Sequence, residues 1–310
     1  MTAERVVVLC ANPAVDVEWQ VDGVVREEKN RILGERRWAG DKGVNVARWL
    51  RVLGVPCRLI LPIGGESGAI LSEALRAEGL PHEAVSVQGE TRVNVLVTDP
   101  HGRQWRFNRL GPRLGAQEWR CLIECLERGV EEGCTLVVLA GSLPRGIDCD
   151  AYAKIVRRAQ QRGIRSVVDC DGETLRKVVD AGPFLVKPNG SELAAWWGHA
   201  VENEVTALRA ARALSNRTGG WVMVSRGSGR ALLVHDGCGR VVRRVPPRVR
   251  ARNRLGAGDA MLVGACWAIT KGLPAEDWLR VGVETGALAT QRSPGDLPTT
   301  GEILRRLGFR

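Results

Sequence analysis

Short β-branched runs alternate along this chain with segments of helical period, and that alternation confines it to a narrow class of folds. Val6 to Ala11, Arg58 to Ile63, Leu136 to Ala140 and Ser166 to Asp169 read as strands, while Val44 to Leu53, Ala69 to Glu78 and Tyr152 to Gln161 read as helices. The strand runs show no polar alternation, as expected where both faces are covered, so the pattern predicts an α/β fold with a mostly parallel sheet flanked by helices. Val46, Trp49, Leu50 and Leu53 recur at helical spacing before Gly54 ends the segment, and they are assigned to the core without a chemical role.

Two segments break the rhythm. Val17 to Asp22 alternates with period two, and Arg92 to Thr98, the turn Asp99-Pro100-His101-Gly102 and Arg103 to Asn108 read as a hairpin. They predict a small inserted β-sheet, a lid of residues 12–35 and 88–109 on a body of residues 1–11, 36–87 and 110–310. In the hairpin Val93, Val95 and Val97 share one face and Arg92 and Asn94 the other, because side chains alternate along a strand. A polar face turned toward the body would cover a polar ligand. The apolar faces of the inserted strands call for a partner, and a homodimer through the lid is expected.

Composition excludes several classes. The opening Val6 to Ala11 is too short and poorly flanked for a signal peptide, and the longest uncharged apolar stretch, Ala260 to Thr270, falls far short of the roughly 20 residues that span a bilayer. No membrane partner and a cytoplasmic location are expected. Nine cysteines without a CxxC pair point to a reduced interior and no zinc site. The four histidines, His82, His101, His199 and His235, sit in loop-like or polar settings that argue against histidine catalysis. The net charge of +10 is carried by 39 arginines against 6 lysines. Charge alone is compatible with nucleic acid, but the basic residues are spread over the whole length and no recognition motif accompanies them, so no nucleic-acid partner is expected. The one dense cluster is Arg243, Arg244, Arg248, Arg250, Arg252 and Arg254. It fits a solvated strand face as well as an attractor of polyphosphate.

That cluster leads into Leu255-Gly256-Ala257-Gly258-Asp259-Ala260-Met261. Two glycines at the start of an apolar helix leave backbone N–H groups and the positive end of a helix dipole beside a carboxylate, a layout suited to phosphoryl transfer. Asp259 is the candidate base, with Gly256, Ala257 and Gly258 holding the migrating oxygens. Taken alone, the aspartate equally fits a helix cap.

The rest of the chain supplies Asn12-Pro13-Ala14-Val15-Asp16, Ala39-Gly40-Asp41-Lys42-Gly43-Val44-Asn45, Thr91-Arg92-Val93-Asn94, Gly141-Ser142-Leu143-Pro144 and Lys187-Pro188-Asn189-Gly190-Ser191-Glu192. With the glycine loop, this ordered set resembles the ribokinase-like (PfkB) sugar kinases, and within them the 1-phosphofructokinase and tagatose-6-phosphate kinase branch. Each motif is weak alone; six in register are specific. The resemblance implies a ribokinase-like doubly wound sheet with a β lid, ATP and Mg²⁺ as cofactors, and a hexose phosphate as acceptor. Fructose 1-phosphate comes first by branch; tagatose 6-phosphate, fructose 6-phosphate, and an unphosphorylated sugar or nucleoside are the alternatives. A catalytically weakened homologue that binds sugar phosphate or nucleotide to regulate is the alternative from another class, and the intact Asp259 loop argues against it.

Site residues follow from the same resemblance, each beside a plainer reading. Asp16, at the carboxyl end of the first strand, can accept bonds from sugar hydroxyls, or form an Asx turn. Gly40, Asp41, Lys42 and Gly43 precede a helix where backbone donors and an ammonium converge on a phosphate or polyol. Asn45 is implied to bind a sugar hydroxyl and Ser142 to belong to the substrate set. Arg92 and Asn94 are implied lid contacts, with the Arg92 fork suited to phosphate, although arginine is common on exposed strands. Asn189 and Glu192 are implied to hold Mg²⁺ through water, as a reluctantly dehydrating cation prefers. Lys187, Asn189, Ser225, Arg226, Gly227 and Gly229 are implied to wrap the nucleotide phosphates, and Gly286 to line the base pocket. Three departures stand out: Asp41 where glycine is usual, Arg230 where a second loop glycine is expected, and Arg254 where threonine or serine precedes the glycine loop. Asp41 puts negative charge beside the implied substrate phosphate, and Arg230 and Arg254 put positive charge on the nucleotide side.

Overall fold

Alternate residues of the central strands feed two separate hydrophobic cores. Val6, Val8, Leu59, Leu61, Leu136 and Val138 join one cluster, while Val7, Leu9, Ile60, Val137 and Leu139 join the other. Side chains of a strand point to opposite faces by turns, so a continuous apolar run must be covered twice. The computed structural model, which describes residues 6–308, shows how.

The main sheet contains β1 (Val6–Leu9), β4 (Cys57–Ile63), β5 (His82–Ser86), β8 (Leu136–Ala140), β9 (Arg165–Asp169), β10 (Leu185–Val186), β11 (Trp221–Val224), β12 (Ala231–His235) and β13 (Arg240–Arg244). Their order is β13-β12-β11-β10-β9-β8-β1-β4-β5. Pairing is parallel from β11 through β5 and antiparallel for β12 and β13. On one face lie α1 (Lys42–Val52), α2 (Gly65–Ala77), α8 (Ala257–Thr270), α9 (Ala275–Thr290) and α10 (Thr300–Leu307). The other face carries α3 (Ala116–Glu131), α4 (Ala151–Gln161), α5 (Gly172–Val179), α6 (Gly190–Trp197) and α7 (Glu204–Thr218). This is the parallel sheet covered on both faces that the alternation predicts, in the doubly wound ribokinase-like form that the motif resemblance implies. Among the described residues no helix is long and apolar enough to cross a membrane, and all nine cysteines are free.

The small sheet is β3 (Gly34–Gly40), β2 (Ala14–Gln20), β6 (Arg92–Thr98) and β7 (Gln104–Phe107) in that order. β6 and β7 form the expected hairpin, and β6 runs parallel to β2. Residues 36–40 belong to this sheet and not to the body: β3 pairs with β2 along its whole length, from Gln20↔Gly34 to Ala14↔Gly40. The sequence Gly34-Glu35-Arg36-Arg37-Trp38 conceals that strand because its charges imitate a solvated loop, whereas in the fold Glu35 and Arg36 find partners elsewhere in the chain. Glu35 accepts from Trp19 Nε1 at 2.9 Å, and Arg36 reaches Asp296 at 2.6 Å.

α8 is apolar all round and buried from Asp259 to Ile269. It packs so closely on α9 that a Cβ at Gly264 would lie 2.4 Å from Thr285 Oγ1 and 2.8 Å from Gly282 Cα. A helix held on all sides has no freedom to slide. Its first turn, with the glycine loop and Asp259, is therefore fixed above the ends of the parallel strands.

Candidate active site

A cleft of about 1230 Å³ follows the carboxyl ends of β8 to β11 beneath the small sheet, where open α/β sheets expose the loops that bind ligands. It brings together Asp16, Asp41, Lys42, Asn45, Arg92, Asn94, Ser142, Lys187, Asn189, Glu192, Ser225, Arg226, Gly227, Gly256, Ala257, Gly258, Asp259 and Gly286. Gly40, Gly43 and Gly229 do not line it. A Cβ at Gly40 would sit 2.2 Å from Asp16 Cγ and one at Gly43 2.5 Å from Cys10 Cβ, so these two glycines permit close packing. Gly229 closes a turn by donating its N–H to the Arg226 carbonyl at 2.9 Å.

Asp169, at the end of β9, holds the floor of the cleft. Lys42 Nζ lies 2.8 Å from its Oδ1 and Lys187 Nζ 2.8 Å from its Oδ2, while Lys42 also stands 3.4 Å from Glu192 Oε1. Burial by itself raises a carboxyl pKa, but the two ammonium groups overcome it and hold Asp169 below the usual carboxylate range. Burial likewise disfavours the Lys42 ammonium, yet Asp169 and Glu192 keep it well above its ordinary value. The sequence reading missed Asp169. Its place at a strand's carboxyl end was the available signal.

Asp259 lies in the first turn of α8, whose N-cap is Gly256 with φ 75°. Its side chain caps nothing; Oδ2 instead accepts from Asn45 Nδ2 at 2.8 Å. The helix-cap reading gives way to a carboxylate presented to the cleft. Burial first, then the charge of Asp169, push its pKa up to about 6, against the opposing pull of Lys42, Asn45 and Lys187. A Cβ at Gly258 would lie 3.5 Å from Lys187 Nζ, so loop backbone and ammonium line the same stretch.

At the lid end, the parallel register sets Asp16 opposite Asn94, whose Nδ2 donates to Asp16 Oδ1 at 3.0 Å. Asp16 is thus engaged across strands and not in an Asx turn. Burial, with a contribution from Asp41, raises it to about 6. Asp41 is buried and ion-paired with the buried Arg92, whose Nη1 also donates to the Arg109 carbonyl at 3.0 Å. With φ 87° and ψ 159°, Asp41 occupies a backbone region that costs a non-glycine residue about 1 to 3 kcal/mol.

At the other end, Asn189 and Glu192 form a capping box on α6. Asn189 Oδ1 accepts from the Glu192 N–H at 2.9 Å, and Glu192 Oε2 accepts from the Asn189 N–H at 2.8 Å. Among the described residues no group of three acidic, cysteine or histidine side chains could hold a metal. Glu192 Oε1, which the capping box leaves over and only Lys42 approaches at 3.4 Å, fits a largely hydrated cation held through water. Arg248 and Arg254 line the cleft, whereas Arg243 pairs with Glu204 at 3.0 Å, so the arginine cluster divides between cleft and surface. Arg230, expected on the nucleotide side, turns away from the cleft and meets Glu204 at 3.2 Å. Met261, Val283, Gly286 and Ala287 form an apolar wall on α8 and α9.

Asp169→Asn removes the only carboxylate between two lysines, one of them buried. Unfolding by urea should show a loss of about 3 to 5 kcal/mol, the cost of stranding a buried charge. An unchanged midpoint would mean that the lysines do not depend on it.

Comparison with known proteins agrees with this geometry. Residues 11–300 match the pfkB family carbohydrate kinase. The chain is 34% identical over 301 residues, 97% of its length and 92% of the relative's, to a 1-phosphofructokinase from Rhodobacter capsulatus. It is 32% identical over 276 residues, 89% of each chain, to a 1-phosphofructokinase from Bacillus subtilis. The phosphofructokinase-2 of Escherichia coli, solved in complex with substrates and products, superposes with a TM-score of 0.91 at 30% identity over 98% of both chains.

Proposed function

The chain belongs to the pfkB family of carbohydrate kinases, and on that premise we propose that it transfers the γ-phosphoryl group of ATP to the free primary hydroxyl of fructose 1-phosphate, giving fructose 1,6-bisphosphate. The observation that carries the reading is the Asp259 carboxylate, presented to the cleft at the glycine loop of α8 and held by Asn45. The 1-phosphofructokinases to which the chain is 32–34% identical support the choice of acceptor.

Asn45 fixes Asp259 Oδ2, which leaves Oδ1 to take the proton of the acceptor hydroxyl. The hydroxyl oxygen then bonds to the γ-phosphorus as the bond to the ADP oxygen breaks. A base with a pKa of about 6 is largely ionised at neutral pH yet still basic enough to share a proton in the transition state. Gly256, Ala257 and Gly258 offer backbone N–H groups and the positive helix end to the transferring oxygens, and Lys187 adds a cation beside them. Asp16, Asn94, Arg92 and Ser142 orient the sugar, while Ser225, Arg226 and Gly227 face the nucleotide phosphates and Gly286 the base. Mg²⁺ held through water by Asn189 and Glu192 would supply further neutralisation of phosphate charge. A cytoplasmic location accords with this metabolic reading.

The proposal extends to a homodimer formed through the small sheet. Val25, Ile32 and Leu33 in the β2–β3 loop and Phe107 on β7 are exposed apolar side chains that a second copy would cover.

Coupled ADP release over a panel of sugars and sugar phosphates should give its highest kcat/KM with fructose 1-phosphate; a nucleoside or another hexose phosphate turned over better would overturn the acceptor assignment. Asp259→Asn should lower kcat by about 10²- to 10⁴-fold. The same change should stabilise the fold by about 1 to 3 kcal/mol at pH 8, because a carboxyl whose folded pKa is raised favours folding only below its ordinary pKa. Retained activity would remove Asp259 from the mechanism. Sedimentation at micromolar concentration should show a dimer, and a single species of 33.8 kDa would contradict lid pairing.

A further inference from the structure

The pocket is built around a pair that the catalytic reading leaves unexplained. Among the described residues only Glu27 and Asp41 are non-glycine residues with positive φ, and Glu27 lies in an exposed loop. Asp41 instead turns its carboxylate inward, where 9% of the side chain remains exposed, and spends it on Arg92, whose side chain is 8% exposed. Such a backbone conformation persists only where the surroundings impose it, and here the imposed contact is a charge pair facing the cleft.

We propose that Asp41 sets acceptor specificity by competing with the acceptor's phosphate for Arg92, so that the site takes sugars with a hydroxyl at that end alongside sugar phosphates. The inference rests on the sugar-phosphate kinase reading above and refines its acceptor class. A guanidinium recognises phosphate through two parallel N–H bonds, and one edge of that fork is committed to Asp41. One Nη1 hydrogen goes to the Arg109 carbonyl and Nε is buried without a hydrogen-bond partner, so a phosphate could reach only the second hydrogen on each Nη nitrogen while Asp41 holds the pair.

The other charges lining the cleft at this end do not restore the balance, and Arg109, Arg113 and Arg145 line a second cavity that shares Arg92 with it. Asp16 stands beside Asp41 and adds a second carboxylate, and Lys42, the next residue, directs its ammonium to Asp169 and Glu192. Arg106 on β7 lines the roof and is exposed to water. A phosphate dianion entering here must draw Arg92 away from one carboxylate while lying near another. A hydroxyl can donate to Asp41 or Asp16 and accept from Asn94 or Arg92, leaving the pair intact.

The test measures binding as well as turnover. Titration calorimetry with fructose 1-phosphate and with fructose compares the native chain with Asp41→Gly and Asp41→Asn, and the same acceptors are followed by ADP release. Both variants should bind fructose 1-phosphate about fivefold more tightly or better, the scale of one partly screened like-charge contact, while fructose binding weakens. An unchanged or weaker affinity for fructose 1-phosphate in both variants would overturn the proposal. Tightening in Asp41→Gly alone would also overturn it, since backbone relief and not charge would then be the cause. If fructose 1-phosphate binds with this pattern but releases no ADP, the kinase reading of the acceptor fails and the role of Asp41 stands.

Discussion

One buried carboxylate ties the cleft together. Asp169 lies at the end of β9, and its two oxygens face lysines from opposite directions: Lys42 from the first turn of α1 and Lys187 from beyond β10. These groups come from three separate strand–helix units, so their convergence requires the whole parallel sheet in register. In a low-dielectric floor the buried charges of Asp169 and Lys187 are intolerable alone, and together with the partly exposed Lys42 they are held. The arrangement also presents positive charge where phosphate oxygens would lie and bears on Asp259, whose pKa is raised first by burial and then by Asp169, while Lys42 and Lys187 pull it back. Structure and chemistry therefore depend on the same interaction.

The opposite end of the cleft follows another charge logic. Asp16, Asp41 and Arg92 combine two carboxylates with one guanidinium, and burial raises the pKa of both acids. One end is organised around lysines that share a carboxylate, the other around an arginine largely neutralised before any ligand arrives. Acceptor binding thus turns on how a sugar's polar groups divide Arg92 with Asp41, whereas phosphoryl transfer turns on Asp259 and the glycine loop. The two ends meet at Lys42 and Asp41, adjacent residues whose side chains part in opposite directions.

Features written in local pattern were legible in the sequence. The two-faced sheet followed from uninterrupted apolar runs, and the β6–β7 hairpin from its alternation and turn. The ordered motifs single out Asp16, Asn45, Arg92, Lys187 and Asp259, and these side chains line one cleft. What escaped depends on partners distant in the chain. Asp169 carries only the weak signal of a place at a strand's carboxyl end, since its importance lies in lysines at positions 42 and 187. Its motif position points Arg230 to the nucleotide side, but Glu204, 26 residues away in the chain, draws it outward. The sequence pattern gives no strand at β3, whose charges imitate a loop, and only pairing with β2 reveals it. The ionic partner of Asp41 likewise lies on β6, 51 residues away.

The central claim is that Asp259, held by Asn45 above the Asp169 cluster, is the base of the transfer. The most direct measurement is the pH dependence of kcat/KM for the native chain beside Asp16→Asn, since Asp16 is raised to a similar pKa of about 6. The account predicts that kcat/KM falls as pH drops through about 6, because protonated Asp259 cannot accept the hydroxyl proton, and that Asp16→Asn keeps this limb. A profile that stays flat well below that pH, or a limb that vanishes with Asp16→Asn, would contradict it.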